Sequence, residues 1–240
     1  EVVNLLETSD VKIKMIPDTY DIISGKVRME SMRSIPLVEI NHQLMPAWQM
    51  VLKRLFDIIS SFLVLTLLSP LYLAVMLITR ISDPGPVFFK QKRVGIQGKE
   101  FYMYKFRSMI LDAEKDGPQL SSEIDERITP WGRIMRKYRL DELPQFYNVL
   151  TGEMSIVGPR PERRYYMERI AEHAPHYLYL QKVRPGITSW GMVKFGYASN
   201  VKEMVERLKF DVIYIENMSL LNDIKILIYT VIIVLQGRGK

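Results

Sequence analysis

The chain has 240 residues, 48% of them hydrophobic and 25% charged, which is the composition of a folded protein and excludes a disordered one. Its formal net charge of +6 suits anionic lipid head groups, phosphorylated substrates or nucleic acid, without choosing among them. It has no cysteine, so disulfides, thiol nucleophiles and cysteine-ligated zinc or iron are excluded, and catalysis must rest on carboxylates, lysines, arginines, hydroxyls or a bound metal.

The chain opens on Glu1 inside a helical phrase and reads as a piece of a longer protein. Residues 1–9 suit the end of a helix. Val11-Lys-Ile13-Lys-Met15-Ile alternates apolar and polar residues, as a strand does. One helix and one strand bury no core of their own, so residues 1–45 are expected to be the tail of a preceding α/β domain, or a segment that packs on something else, with a second domain over 46–240.

Ile58 to Thr79 is a run of 22 residues without a charged side chain. As one helix it would measure roughly 33 Å, enough for a bilayer core. Ser69-Pro70 interrupts it, because proline lacks an N–H and meets the carbonyl one turn back, at Thr66. Lys53 and Arg54 precede the run and Arg80, Lys90, Lys92 and Arg93 follow it, so both flanks favour the cytoplasmic side. A helix over about 51–81 that enters, breaks at Ser69-Pro70 and returns satisfies both flanks. A kinked spanning helix and a buried core helix are the alternatives. The depth of the run within the chain argues against a signal peptide. Trp48 and Tyr72 are candidate interfacial anchors.

Beyond the run, Asp83-Pro-Gly-Pro86 is a turn. Val87–Phe89 and Phe101–Tyr104 are expected to pair as a hairpin. Helices are expected over 108–115, 131–138, 141–150, 162–174 and 201–217, with a loop over 116–130. Ile226 to Leu235 is too short to span and reads as a helix on the core or on a membrane surface. The expected fold is α+β and helix-dominated, monotopic at a membrane, with a re-entrant Ser-Pro-broken helix and amphipathic surface helices.

His42, His173 and His176 are the only histidines. A two-histidine metal site at 173 and 176 is disfavoured by Pro175. Asp141-Glu142-Leu-Pro144 stands where a basic helix ends and another begins. The plain reading is a helix cap. The chemical reading places Asp141 at a helix N-terminus that holds it ionised and attracts phosphate, with Glu142 able to hold Mg²⁺. Lys105, Arg107, Arg136, Arg139 and Arg160 are the cations such a site would need, and each alone is an ordinary surface charge.

At this point the chain resembles a known family. Residues 51–240 carry Lys53-Arg54-Leu-Phe-Asp57, Ser69-Pro70, Asp83-Pro-Gly-Pro-Val-Phe-Phe, Gln91-Lys-Arg93-Val-Gly95 and Lys105-Phe-Arg107-Ser-Met109. They continue with Leu140-Asp-Glu-Leu-Pro-Gln145, Asn148-Val-Leu-Thr-Gly152, Met154-Ser-Ile-Val-Gly-Pro-Arg-Pro161 and Arg184-Pro-Gly-Ile-Thr188. In this order these phrases resemble the bacterial sugar transferases, the monotopic polyprenyl-phosphate phosphoglycosyl transferases, and the chain looks like the catalytic domain of a large-type member.

The resemblance implies transfer of a sugar 1-phosphate from a UDP-sugar to undecaprenyl phosphate, with release of UMP, early in exopolysaccharide, capsule or O-antigen assembly. It implies Asp141 as the nucleophile and Glu142 as its partner, both near Mg²⁺. It also implies Lys105, Arg107, Arg136 and Arg160 as substrate-binding cations, and Ser69-Pro70 as the helix break. The expected setting is the cytoplasmic face of the bacterial inner membrane, against anionic lipids of the inner leaflet, with no nucleic-acid partner and with a homodimer left open. The remnant over 1–45 resembles the end of the Rossmann-like domain of large members. Arg139 and the stretch Thr188–Val193 depart from the commoner family pattern, so glucose, galactose and N-acetylated sugars all remain open. Two other classes stay in view: a membrane-bound interaction module and a metal-dependent phosphohydrolase.

Overall fold

A computed structural model describes residues 13–15, 38–40, 44–115, 117–121 and 125–238. It divides into two units, 1–44 and 45–240. In the first, β1 (Ile13–Met15) and β2 (Val38–Ile40) pair antiparallel, with Ile13 opposite Ile40. β1 falls inside the expected strand, while the helix expected over 1–9 lies outside the described residues.

The second unit begins with α1 (Ala47–Leu67) and α2 (Ser69–Ser82), which meet at Leu68 with a bend of 61°. The bend has a local cause. Pro70 sits in the first turn of α2, where a missing N–H costs nothing, whereas inside one continuous helix it would clash. Among the described residues no single helix is long and apolar enough to cross a membrane; the bent pair together is.

Burial along this pair is inverted relative to a core helix. α1 buries Asp57 and Ser61, while Phe62 and Leu67 stand 57% and 72% exposed. The buried-core reading of the apolar run therefore fails. Asp57 accepts from the Ser155 hydroxyl (2.7 Å) and the Ile156 N–H (3.1 Å), so the polar face of α1 is the one that docks.

The expected hairpin is present and longer than read. β3 (Phe88–Val94) and β4 (Glu100–Phe106) pair over seven residues each. The helix expected over 108–115 is absent. Met109 bridges to Ile128 instead, and Asp112 takes a left-handed φ of 60°, which no α-helix passes through. Arg127 fastens this loop by donating to the carbonyls of Ala113 (3.3 Å) and Leu120 (3.2 Å).

α3 (Pro130–Lys137) is capped by Thr129, whose hydroxyl accepts from the Gly132 N–H at 2.9 Å. A 3₁₀ turn, Leu140–Glu142, leads to α4 (Gln145–Thr151), which Gly152 ends at φ 92°. β5 (Ser155–Val157) pairs parallel with β6 (Gly186–Thr188), a small sheet the sequence patterns did not announce. Between them run α5 (Arg164–His173) and a 3₁₀ segment, Pro175–Lys182. His173 thus ends a helix that Pro175 does not continue, and no group of three metal-ligating side chains occurs among the described residues. α6 (Trp190–Lys194), α7 (Val201–Glu216) and α8 (Leu220–Leu235) complete the unit.

α8 includes the apolar stretch read as a surface helix, and it exposes Leu221, Ile228 and Leu235. Lys53 of α1 binds Asp223 at its start, at 2.6 Å. The core beneath the dyad is built from Val75 of α2, Phe106 of β4 and Met135 of α3, with Tyr72, Leu140 and Leu143 packed on them.

Candidate active site

Asp141 and Glu142 lie in the 3₁₀ turn between α3 and α4, and both are buried. The turn is entered through Arg139, a non-glycine residue at φ 56°, which reverses the chain sharply after the basic helix α3. The cap reading of Asp141 does not hold. Pro144 occupies the cap position of α4 and no side chain caps that helix. Among the described residues no hydrogen bond or ion pair holds the Asp141 carboxylate, which lines a cavity of about 520 Å³.

Glu142 is the opposite case. Lys105 Nζ donates to its Oε1 at 3.0 Å, and Arg139 Nε donates to its Oε2 at 3.0 Å. Arg160 Nη1 lies 4.0 Å from Oε1. Burial pushes against ionisation of Glu142, but Arg139, Lys105 and Arg160 outweigh it and hold the carboxyl well below its usual range. Burial raises the Asp141 carboxyl instead, against the pull of Lys105 and with the Glu142 charge adding to the rise. Burial thus opposes the ionised form expected of Asp141 at a helix N-terminus. The residue precedes a seven-residue helix, and burial dominates.

Four of the five cations singled out in the sequence, Lys105, Arg107, Arg136 and Arg160, line the same cavity as the dyad, and the fifth, Arg139, pairs with Glu142. Their states differ. Lys105 and Arg160 face Glu142. Arg136 donates to the hydroxyls of Ser108 (3.0 Å) and Ser121 (2.7 Å), and among the described residues no carboxylate forms an ion pair with it. Arg107 is tied to the turn after α2, where Nη2 donates to the Asp83 carbonyl and lies 3.4 Å from the Asp83 carboxylate. Gly85 makes room for this, since a Cβ there would fall 2.1 Å from Arg107 Nη1. Ser69 and Pro70 are not among the lining residues; they form the bend of the hairpin.

Two residues of the site, Glu162 and Met192, answer to no cation or dyad reading of the sequence. Buried Glu162 accepts from Arg207 Nη2 (2.6 Å) and Arg93 Nη1 (3.1 Å), with Arg160 Nε at 3.9 Å, so it gathers three arginines from β3, α7 and the Pro-Arg-Pro segment. Arg160 also stands over the Tyr197 ring at 5.3 Å. The signal available was the acidic residue that directly follows Pro159-Arg-Pro161. Arg139 and Met192, which belong to the two departures from the family pattern, are in contact: Arg139 Nη2 lies 3.6 Å from Met192 Sδ.

Among the described residues the cavity is lined by eight basic side chains (Arg93, Lys105, Arg107, Lys115, Arg136, Arg160, Arg163, Arg207) and five acidic ones (Asp112, Glu114, Asp141, Glu142, Glu162). That surplus of positive charge, in a concavity of ligand size, fits a polyanion. Asp141, buried and without a partner among the described residues, is the carboxylate placed to meet it.

Comparison with known proteins agrees. The family model described as "Bacterial sugar transferase" matches residues 48–237. The UDP-N-acetylgalactosamine-undecaprenyl-phosphate N-acetylgalactosaminephosphotransferase of Aeromonas hydrophila is 38% identical over 227 residues, 95% of this chain and 52% of that protein. The UDP-glucose:undecaprenyl-phosphate glucose-1-phosphate transferase of Escherichia coli K12 is 37% identical over 96% of this chain and 50% of that protein. An uncharacterized sugar transferase of Bacillus subtilis is 39% identical over 79% of this chain and 90% of its own length. The chain spans about half the length of the first two relatives.

Proposed function

The chain belongs to the bacterial sugar transferase family, and from that premise we propose that it transfers a sugar 1-phosphate from a UDP-sugar to undecaprenyl phosphate. The observation that carries the reading is the unpaired, buried Asp141 carboxylate in a cationic cavity, beside a Glu142 whose charge is fixed by Lys105 and Arg139.

The steps follow from these groups. An Asp141 oxygen attacks the phosphorus that bears the sugar. The bond from that phosphorus to the bridging oxygen breaks, UMP leaves with the bond's electrons, and the sugar phosphate rests on Asp141 as an acyl phosphate. An oxygen of the lipid phosphate then attacks the same phosphorus, Asp141 leaves as carboxylate, and a polyprenyl diphosphate sugar results. Lys105, Arg136 and Arg160 bind and orient the phosphates, and among the described residues Arg136 is hydrogen-bonded only to hydroxyls.

The donor set fits Mg²⁺ in the way this ion is usually bound, through one or two carboxylates completed by substrate phosphates. Asp141 offers free oxygens, and each Glu142 oxygen retains a lone pair beside its cation. When bound, the ion would neutralise charge between carboxylate and diphosphate. EDTA is expected to stop UMP release and added Mg²⁺ to restore it, with the nucleotide measured by chromatography.

The apolar hairpin supplies the site for the lipid. Its outward face is apolar, its docked face is polar, and both flanks are basic, which suits a re-entrant seat in the cytoplasmic leaflet of the inner membrane. The names of the relatives differ in the sugar, N-acetylgalactosamine in one and glucose in the other. The test is therefore a panel of UDP-sugars with undecaprenyl phosphate and Mg²⁺, with UMP measured. Parallel double-reciprocal lines and a phospho-sugar trapped on Asp141 are expected. Intersecting lines with nothing trapped would sink the covalent step. Free sugar phosphate would favour a phosphohydrolase, and lipid binding without UMP an interaction module.

A further inference from the structure

The segment from Leu140 to Thr151 carries the dyad and the helix behind it, and each end is held by one arm of the bent hairpin. At the far end, Arg54 of α1 donates from Nη1 to the Val149 carbonyl (2.7 Å) and from Nη2 to the Leu150 carbonyl (3.1 Å). These are last-turn carbonyls, of which Val149 also accepts from the Gly152 N–H at 3.1 Å. At the near end, Tyr72 of α2 donates its hydroxyl to the carbonyl of Leu143 at 2.6 Å, one residue after Glu142.

Tyr72 also reaches the other wall of the site. Its ring lies edge-on to Phe106, 5.7 Å between centroids. Phe106 stands between Lys105 and Arg107 on β4, and Lys105 is the residue that binds Glu142 Oε1. One phenol thus contacts both walls of the site: the turn with the carboxylates through its hydroxyl on the Leu143 carbonyl, and the strand with Lys105 through its ring on the Phe106 side chain. The hydroxyl is not needed to satisfy the helix, because the Leu143 carbonyl already accepts from the Phe146 N–H at 3.2 Å. A bond that the local fold does not require, aimed at the residue after the dyad, is what a placement device looks like.

We propose that Tyr72 is a positioning residue for Asp141 and Glu142: its hydroxyl, acting through the Leu143 carbonyl, sets where the dyad turn stands relative to the hairpin and to the phosphates bound beside Lys105. The inference rests on the transferase reading above. It assigns Tyr72 no contact with substrate, and it makes the seating of the hairpin part of the geometry of the site.

The test is Tyr72→Phe, which keeps the ring on Phe106 and deletes only the hydroxyl, compared with Tyr72→Leu, which deletes both. Parent and variants are purified in detergent micelles, melted by circular dichroism, and assayed for UMP release over a range of UDP-sugar and undecaprenyl phosphate concentrations. For Tyr72→Phe we expect a fall in kcat of roughly three- to tenfold, the worth of one hydrogen bond, with KM for the UDP-sugar within twofold of the parent and a melting midpoint lowered by no more than about 5 °C. Tyr72→Leu should lose at least as much kcat. A Tyr72→Phe variant with parental kcat would overturn the proposal, whatever Tyr72→Leu does, since packing alone would then suffice. So would a Tyr72→Phe variant that melts well below the parent, which would place the hydroxyl in the fold and not in the site. Absence of UMP release from the parent itself would strike the transferase reading and leave the contact of Tyr72 with the dyad turn unaffected.

Discussion

Asp141→Asn is expected to abolish transfer and at the same time to raise the melting temperature. The loss of turnover follows from removal of the nucleophile. Asparagine has the shape of the carboxyl but no charge with which to attack phosphorus, and deletions of this kind cost on the order of 10⁴-fold or more. The gain in stability follows from burial. Asp141 sits in a low-dielectric turn with no hydrogen bond of its own among the described residues, and its carboxyl is raised above the ordinary range, so its charged form is penalised in the folded state. A group raised in this way binds more protons folded than unfolded. The stability it confers is present at acid pH and is lost as pH rises through the raised pKa, so at neutral pH the parent carries a cost that an asparagine does not. Melting curves in EDTA, which removes any bound cation, should show the Asp141→Asn variant above the parent at neutral pH and a gap that closes as the pH is lowered. Appreciable UMP release by Asp141→Asn would contradict the nucleophile role. A variant that melts below the parent at neutral pH would contradict the electrostatic account even if it is inactive.

How far such reasoning could be taken from residues alone depended on the range of the interactions involved. The bend at Leu68 was legible because its causes are local: an uncharged run, and a proline whose missing N–H is tolerated only in a first turn. The strands β3 and β4 were legible from the turn between them, although their full length was not, since Lys90, Gln91 and Lys92 carry no apolar alternation. The stretch 108–115 was misread because its conformation is imposed from elsewhere, by the bridge to Ile128 and the grip of Arg127. The dyad and its five cations were named in advance, yet their division of labour was not. Lys105 reaches Glu142 across 37 positions in sequence, and Glu162 joins Arg93 and Arg207 from opposite ends of the unit, pairings that no spacing rule encodes. Asp141 and Glu142 are neighbours of like charge, and only the surrounding fold holds one of them as an anion and leaves the other without a partner among the described residues.

Glu142→Gln should therefore move stability in the direction opposite to Asp141→Asn. Glu142 is held below its usual range by Arg139, Lys105 and Arg160 in spite of its burial. A depressed carboxylate contributes stability that is fully present above its unfolded pKa and is lost as pH falls through the folded one, so at neutral pH all of it is at stake. Glutamine keeps the volume and removes the charge. Lys105 then stays buried without its counter-ion, and Arg139 keeps its strained left-handed backbone without the carboxylate that faces it. Breaking a buried ion pair by removing one partner costs about 3–5 kcal/mol, and in a chain of this size each kcal/mol is worth roughly 2–4 °C, so a drop of about 10 °C is expected in EDTA at neutral pH. Turnover should fall by about 10²–10³-fold, the usual loss when a preorganised charge is removed from a site, and not to the level of Asp141→Asn, because the nucleophile remains. Scanning calorimetry on the two variants side by side reads both signs in one experiment. If Glu142→Gln melts at the parental temperature, the cations around it are held by something other than its charge, and the fixed-anion role assigned to Glu142 fails.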